Sequence, residues 1–284
     1  MQITADSPCD LPDGLARSNG VTLIPLYLRF EGEYLRDGVE IDGRGVIKRY
    51  ESTGKLPKTA APSVGDYLSV WKPLLNDAGE VIHISLSSGI SSAYQTARIA
   101  AAECGRVRVI DSKQLCGAFS LEVLHACELR SRGLNAAEIA AGTREYIQNL
   151  YCAFLVEDVN FLRAGGRCSA LEAIGAELLR IRPSLTMLDG KIVPLEKYRG
   201  DIHAARRRFI NDALARCTGS GRAVLVHTCL PEEDFRPLAQ MLEDTGRFRE
   251  VITFGTGGVI SAHCGRGTVG IFFPGIARRK VNDA

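Results

Sequence analysis

The sequence of 284 residues lacks the patterns that mark several large classes of protein. No apolar run approaches the roughly 20 residues that a membrane-spanning helix needs. The first residues, MQITAD, have neither the basic start nor the apolar stretch of a secretory signal peptide, so we expect a cytoplasmic protein. The nine cysteines contain no C-x-x-C pair. This argues against zinc ribbons and thioredoxin-like sites and predicts that most thiols are small core residues.

Signatures of nucleotide, metal and nucleic-acid sites are also scarce. The chain has no G-x-x-x-x-G-K-[ST] loop, and the Gly-rich stretch GTGGVI does not match G-x-G-x-x-G, so we predict no ATP site. Asp6 and Asp10 are close in sequence, but DSPCD lacks the acidic density of a calcium loop, so no metal is predicted. A net charge of +2 is too small to indicate a nucleic-acid partner.

The first half of the chain alternates strand-like and helix-like segments, as parallel α/β proteins do. A helix is predicted after Ser63, because Asp66 stands at the position that completes a capping box. Residues 54–62 hold two prolines and are predicted to form a loop. The strand-like segments are residues 2–5, 21–30, 81–84, 107–110 and 151–156. They predict a Rossmann-like N-terminal domain, residues 1–160, with a mainly parallel sheet.

The pattern changes in the second half of the chain. A Gly-Gly-Arg turn and a helix precede two strand-like runs joined by Asp189-Gly190, a dipeptide typical of β-hairpins. Further helix-like and strand-like segments follow, at 201–216, 223–227, 251–254 and 268–273. They predict a C-terminal α+β domain, residues 161–284, with a mixed or antiparallel sheet. The fold class is therefore α/β in two domains.

Three polar clusters adjoin these strands, and each is predicted to lie on a loop. They are Thr59 in KTAAPS, the serine loop of residues 85–92, and His263 in GGVISAHCGRGTVG. Hydroxyl groups and a helix start at the carboxyl end of a strand can hold a small acid. The serine hydroxyls fit a capping role equally well, and a single histidine is more often structural.

Seven segments resemble the DegV family of bacterial fatty-acid-binding proteins, which includes the FakB-type subunit of fatty acid kinase. They are ITADSPCDLP, KTAAPSVGDYL, VIHISLSSGISSAYQTARIAA, VRVIDSKQLCGAFSLEVLHACEL, FLRAGGRCSA, LTMLDGKIVPLEKYRG and VISAHCGRGTVGIFF. The segments stand in family order across nearly the whole chain. The chain differs from the family at Ala60-Ala61, where Ser-Gln is usual.

The resemblance implies a two-domain α/β protein that buries one long-chain fatty acid in a tunnel, with the carboxylate held at the domain junction. Carried over by position, the ligand-binding residues are Thr59, Ser91 with its neighbour Ser88, and His263. No metal and no cofactor other than the bound fatty acid is implied.

The resemblance also implies a partner. Such proteins are not kinases, and they present the carboxylate to a separate ATP-dependent subunit similar to dihydroxyacetone kinase, which makes acyl-phosphate for phospholipid synthesis. Arg167 and Arg199 are the implied contacts with this partner or, transiently, with a membrane surface.

Two alternatives remain open. A hydroxyl beside His263 also fits a Ser/His hydrolase that acts on an acyl substrate. The nucleophile elbow G-x-S-x-G is absent, however, and no orienting acid can be assigned. The other alternative is a regulatory or structural interaction module without a ligand.

Overall fold

The structure, a computed structural model, describes residues 1–167 and 181–275, which form three β-sheets and their flanking helices. The strands are β1 (Gln2–Asp6), β2 (Val21–Ile24), β3 (Tyr27–Phe30), β4 (Glu33–Arg36), β5 (Lys58–Ala60), β6 (Val81–Ser85), β7 (Val107–Asp111), β8 (Leu150–Leu155), β9 (Ile181–Leu188), β10 (Lys191–Arg199), β11 (Gly221–His227), β12 (Phe248–Gly255) and β13 (Val269–Pro274). The helices are α1 (Asp13–Ser18), α2 (Gly43–Thr53), α3 (Val64–Ala78), α4 (Ala93–Cys104), α5 (Cys116–Ser131), α6 (Ala136–Ile147), α7 (Val159–Gly165), α8 (Ile202–Ala215), α9 (Glu232–Glu243) and α10 (Gly258–Cys264). The helix predicted after the Gly-Gly-Arg turn lies outside the described residues, as does Cys168.

The first sheet has four parallel strands in the order β2-β1-β6-β7. Strand β6, VIHIS, is buried along its whole length, as expected for a central strand covered on both faces. The predicted capping box of α3 is confirmed, because Ser63 Oγ accepts from the amide of Asp66 and Asp66 Oδ2 accepts from the amide of Ser63. These elements confirm the α/β class with a parallel N-terminal sheet.

The second sheet has six strands in the order β10-β9-β8-β13-β11-β12. Its pairings are antiparallel except for β11 with β12, so the predicted mixed sheet is confirmed, as is the hairpin at Asp189-Gly190. Placing residues 151–156 in the parallel series was wrong, because β8 runs antiparallel between β9 and β13. The division between the sheets thus falls between β7 and β8, and the domain boundary at residue 160 stays a prediction.

The third sheet is a small antiparallel one in the order β4-β3-β5. Two predictions fail here. Residues 21–30 are not one strand, because Pro25 and Leu26 separate β2 from β3 and the two strands join different sheets. Residues 54–62 are not all loop, because Lys58–Ala60 pairs with β3 between the two prolines. Proline lacks only its own backbone donor, so the residues between two prolines can still pair with a neighbouring strand.

Helix α5 lies between the two large sheets and contacts β1, β8, β11 and β13. Most of its residues are buried, including Phe119 and Leu121, which is the pattern of a helix enclosed on all sides. Gly117 allows this approach, because a Cβ there would lie 2.3 Å from the ring of Phe272. The apolar core is therefore continuous from one sheet to the other.

Among the helices within residues 1–167 and 181–275, none is both long enough and apolar enough to cross a membrane. The eight cysteines in the described part of the chain are free thiols, and most of them are buried. Their burial agrees with the prediction that most thiols are core residues.

Replacing Ser63 by alanine should lower the free energy of unfolding by about 0.5–2 kcal/mol, because the start of α3 loses its side-chain acceptor. Urea unfolding would measure the change. The control is Ser69→Ala on the same helix, whose hydroxyl donates to the carbonyl of Asp66 and which should stay within about 0.5 kcal/mol of the wild type. Equal losses in the two variants would contradict the role of the capping box.

Candidate fatty-acid site

A cavity of about 270 Å³ lies where β5, the serine loop, β10 and α10 meet. Most of its wall is apolar, and the polar groups are few. The apolar residues are Leu26, Ala60, Ala61, Leu86, Ile90, Leu115, Leu162, Ile192, Val259, Ile260 and Cys264. The polar ones are Thr59, Ser91, Ser92, Arg167 and His263. An apolar chamber with a few convergent polar groups is the usual form of a small-molecule site.

Thr59 and His263 meet at this cavity although 204 residues separate them in sequence, and Thr59 Oγ1 lies 3.0 Å from His263 Nε2. The sequence predicted a loop position for both residues, and this prediction was wrong. Thr59 is the middle residue of β5, opposite Leu28 of β3, and His263 occupies the last turn of α10. The regular elements hold both side chains more rigidly than loops would.

The start of α10 is fixed by Asp37, a buried carboxylate that sequence reasoning missed. Asp37 Oδ1 accepts from the amide of Gly258 at 2.7 Å and from that of Val259 at 3.3 Å, while Oδ2 accepts from Ser7 Oγ at 2.7 Å. A carboxylate is stabilised at the amino end of a helix, where amides are unpaired. The N-terminal part of the chain therefore sets the position of α10 and of His263.

His263 is a neutral imidazole at physiological pH. Burial, with a smaller contribution from the charge of Arg167, lowers the pKa of His263 to about 4. Its Nδ1 atom is buried and has no hydrogen-bond partner among the described residues. Gly165 packs against the ring, since a Cβ there would lie 2.1 Å from Nδ1. The hydrogen bond of this ring is therefore the one between Nε2 and Thr59 Oγ1.

Asp6, at the end of β1, anchors the first residues of the serine loop. Asp6 Oδ2 accepts from Ser85 Oγ at 2.6 Å and from the amide of Leu86 at 2.8 Å. Burial alone would raise the pKa of Asp6, but the adjacent His83 and these hydrogen bonds outweigh it and hold the pKa below its usual range. Asp6 therefore anchors the start of the serine loop to β1.

The two serines predicted to bind the ligand lie in different surroundings. Ser91 lines the cavity, and its Oγ accepts from the amide of Ala93 at the start of α4. Ser88 is not among the lining residues and accepts from Lys113 Nζ at 2.9 Å, beside the ion pair of Lys113 with Asp111. The structure thus brings Thr59, Ser91 and His263 together and places Ser88 outside the group.

Arg167 and Arg199 lie in different places as well. Arg167 is exposed, lines the cavity and donates from Nη1 to the carbonyl of Gly165 at 2.6 Å. Arg199 ends β10 on the surface, and its carbonyl accepts from Arg208. Contact of either arginine with a partner or membrane stays a prediction.

The glycines after His263 serve a turn rather than a nucleotide. Residues 265–270, GRGTVG, carry the letters G-x-G-x-x-G, but they lead from α10 into β13, whereas the dinucleotide fingerprint leads from a strand into a helix. Arg266 forms an exposed ion pair with Glu51 of α2 and does not line the cavity. It therefore contributes no charge to the polar end of the site.

A second buried carboxyl, Asp10, lies beside Asp37. Burial and the neighbouring charge of Asp37 raise the pKa of Asp10 to about 8. Its Oδ2 accepts from Cys116 Sγ at 3.1 Å. Asp10 is therefore largely protonated at neutral pH, which spares the fold a second buried negative charge.

Sequence reasoning missed most of the apolar wall. Leu26, Leu162 and Ile192 come from three different parts of the chain, and nothing in the local sequence distinguishes them from ordinary core residues. The positions of Leu115 and Ile90 could have been predicted to line a site, because they follow strands β7 and β6 at the sheet edge where ligands bind in α/β proteins.

Fold and cavity together define a class of protein: an α/β protein with an apolar chamber whose wall also carries hydroxyls, an imidazole and a guanidinium. A family profile described as "Uncharacterised protein, DegV family" matches residues 1–274. The chain belongs to the DegV family, which confirms the resemblance of the seven segments. It is 30% identical over 277 residues to a DegV domain-containing protein from Deinococcus radiodurans, covering 95% of this chain and 96% of that one.

Two solved structures of this family are similar over nearly the whole chain. A DegV family protein from Thermus thermophilus, described by its fatty acid binding, has 28% identity and a TM-score of 0.88, covering 97% of this chain and 99% of that chain. DegV from Bacillus subtilis, described as a fatty acid binding protein, has 28% identity and a TM-score of 0.85, covering 95% of this chain and 97% of that chain.

His263 should make the protein acid-sensitive. Its pKa is about 4 in the folded chain against 6.5 ordinarily, so the contribution of the neutral ring is complete above pH 6.5 and is lost as the pH falls toward 4. Between these values the free energy of unfolding should fall more steeply for the wild type than for His263→Gln. Parallel slopes in urea titrations at several pH values would show that the ring protonates freely.

Asp10 should give the free energy of unfolding the opposite pH dependence, so that stability falls as the pH rises. Its pKa of about 8 exceeds the ordinary 3.8, so its stabilising contribution is complete below pH 3.8 and is lost as the pH rises through 8. Thermal unfolding should show wild-type stability declining relative to Asp10→Asn over this interval. A constant difference between the two proteins would mean that Asp10 is ionised throughout.

Proposed function

We propose that this protein binds one long-chain fatty acid in the cavity and presents its carboxylate to a separate ATP-dependent kinase subunit, which forms acyl-phosphate for phospholipid synthesis. The observation that carries the proposal is the Thr59–His263 hydrogen bond of 3.0 Å at the wall of an otherwise apolar cavity. Membership of the DegV family and the names of its two similar solved relatives support it.

Thr59 is well placed to donate to a carboxylate. In the tautomer with hydrogen on Nε2, His263 donates to Thr59 Oγ1, and the hydroxyl hydrogen of Thr59 is then free to turn toward the cavity. This tautomer leaves a lone pair, rather than an N–H, on the unpartnered Nδ1. Ser91 and Ser92 offer further hydroxyls along the same wall.

Arg167 supplies the charge that a carboxylate needs in such a place. It is the charged side chain among the described residues that line the cavity, since His263 is neutral. An ionised acid that leaves water is stabilised when a cation lies near it. The carboxylate is therefore expected at the end of the cavity shared by Thr59, His263 and Arg167.

The apolar wall accounts for affinity. Each buried methylene contributes about 0.8 kcal/mol, so a 16-carbon chain gives on the order of 10 kcal/mol before the costs of ordering it. The polar end then fixes the direction of the ligand and contributes less than the apolar wall to the strength of binding. A carrier that keeps the carboxylate at a polar end next to the exposed Arg167 suits transfer to a second protein.

The geometry does not favour the hydrolase alternative. A histidine that activates a hydroxyl is normally oriented by an acid on its other ring nitrogen. In the described residues, Nδ1 of His263 faces Gly165 and has no such partner. Ser91 uses its oxygen to accept from the amide of Ala93 instead of contacting the imidazole.

Thr59→Val should weaken retention of fatty acid, because valine keeps the shape of threonine but removes the hydroxyl. We expect a loss of about ten- to a hundredfold, the value of one hydrogen bond to a charged group. Native mass spectrometry of the purified protein, followed by titration with palmitate, would measure it. Ser88→Ala is the matched control and should bind as the wild type does. Full retention in Thr59→Val would contradict the assigned polar end.

Phosphorylation tests the second half of the proposal. The protein loaded with fatty acid should yield acyl-phosphate only when ATP and a dihydroxyacetone-kinase-like subunit are both added, and Thr59→Val should lower the yield. Acid-labile phosphate would be measured, with an aryl ester assay for hydrolysis alongside. Ester turnover by the protein alone, lost in Ser91→Ala, would favour the hydrolase instead.

A further inference from the structure

The hairpin of β9 and β10 reaches from the six-stranded sheet to the serine loop. Its two-residue turn, Asp189-Gly190, has φ angles of 50° and 80°, as a tight hairpin turn requires. Gly190 is buried, although Asp189 and Lys191 on either side of it are exposed. The tip of the hairpin is therefore seated against another part of the protein.

Ser87 of the serine loop holds this tip. Its Oγ donates to the carbonyl of Gly190 at 2.7 Å, and the side chain of Ser87 is fully buried. The two segments lie very close together, because a Cβ on Gly89 would lie 2.3 Å from the carbonyl oxygen of Gly190. A Cβ on Gly190 would likewise lie 2.9 Å from Cδ of Lys113. The turn thus fits against the serine loop and Lys113 and is held there by a buried hydrogen bond.

The outer part of the hairpin begins where its pairing with the rest of the sheet ends. Within the described residues, the ladder between β8 and β9 ends at Leu185. The partner of Leu185 on β10 is Pro194, and the register of the hairpin shifts between Pro194 and Glu196. A bulge of this kind bends the strand that carries it. We call residues 186–193, which lie between this bulge and the end of the turn, the hairpin arm.

The hairpin arm forms part of the wall of the fatty-acid cavity. Ile192 of the arm lines the cavity, as do Ile90 and Ser91 of the serine loop. Ile90 directly follows Gly89, and Ile192 stands two positions after Gly190. The contact between the turn and the serine loop therefore lies beside the cavity wall, and separating the two would open the cavity there.

The two ends of the arm differ in their surroundings. At the bulge end, Thr186 Oγ1 donates to the carbonyl of Cys152 in β8 at 2.6 Å, which ties this end to the sheet. At the tip, Leu188 is 60% exposed, and Asp189 and Lys191 are exposed as well. The tip has solvent on its outer side, where it can move, whereas the bulge end is fixed.

We propose that the hairpin arm is a gate over the fatty-acid cavity, hinged at the bulge and held closed by the hydrogen bond from Ser87 to Gly190. This inference rests on the proposed function, since it concerns how the fatty acid enters and leaves the same cavity. The bond joins two protein groups, so it holds the gate closed with or without the ligand. Weakening it should raise the rates of binding and release together and leave the dissociation constant unchanged.

The test measures binding and release of cis-parinaric acid, a fluorescent long-chain fatty acid, by stopped-flow mixing. Ser87→Ala removes the hydrogen bond and should raise both rates by about two- to tenfold. Gly89→Ala should also raise both, because its methyl group would collide with the carbonyl of Gly190. Ser112→Ala is the matched control. This buried serine donates to the carbonyl of Gln114 in its own loop, and its loss should leave both rates unchanged.

Hydrogen exchange of the backbone amides gives a second measurement, which needs no ligand. The amides of residues 187–193 should exchange faster in Ser87→Ala than in the wild type, because the arm opens more often. The amides of β13, in the middle of the same sheet, should exchange at the same rate in both proteins.

Two results would overturn the gate. One is that the rates, or the hydrogen exchange of the arm, stay at the wild-type values in Ser87→Ala and Gly89→Ala. The other is faster release with unchanged association, since Ser87 would then hold the ligand rather than the hairpin. A wild-type protein that does not bind cis-parinaric acid at all would contradict the proposed function, and the gate with it.

Discussion

The contact between Asp37 and the start of α10 determines the rest of the site. This carboxylate is nearly inaccessible to solvent, yet it accepts two amides of α10 and the hydroxyl of Ser7. Burial raises the pKa of Asp37, and the hydrogen bonds from Ser7 and from the amides of Gly258 and Val259 offset part of that effect. Because α10 is held at its first residue, its last turn brings His263 against Thr59, and two distant parts of the chain close one cavity.

The same balance between burial and pairing explains the polar end of the cavity. Asp6 keeps its charge because His83, Ser85 and the amide of Leu86 surround it. His263 lacks such partners and stays neutral. The charge at this end of the cavity is thereby left to Arg167, which reaches the surface. A neutral, prearranged hydroxyl and imidazole with an outer cation could accept an acid without a fixed charge being buried in advance.

Local signals in the sequence were reliable where the structure itself is local. The capping box at Ser63 and the hairpin at Asp189-Gly190 depend on residues three or four positions apart, and both are present. The assignments that failed depend on pairing across the chain. Strand β8 has the apolar run of a parallel strand but pairs antiparallel with β9 and β13. Strand β5 forms because the residues between the two prolines pair with β3.

The sequence by itself determined the α/β class, the order of most elements and the family, and the family resemblance pointed to Thr59, Ser88, Ser91 and His263 as ligand-binding residues. These follow from periodicity, turn chemistry and motifs that survive without a three-dimensional context. Only the tertiary structure decided that Ser88 pairs with Lys113, that Asp37 fixes α10, and that β8 lies between β9 and β13. Each of these depends on which buried groups find partners when distant segments come together, and no local pattern of residues contains that information.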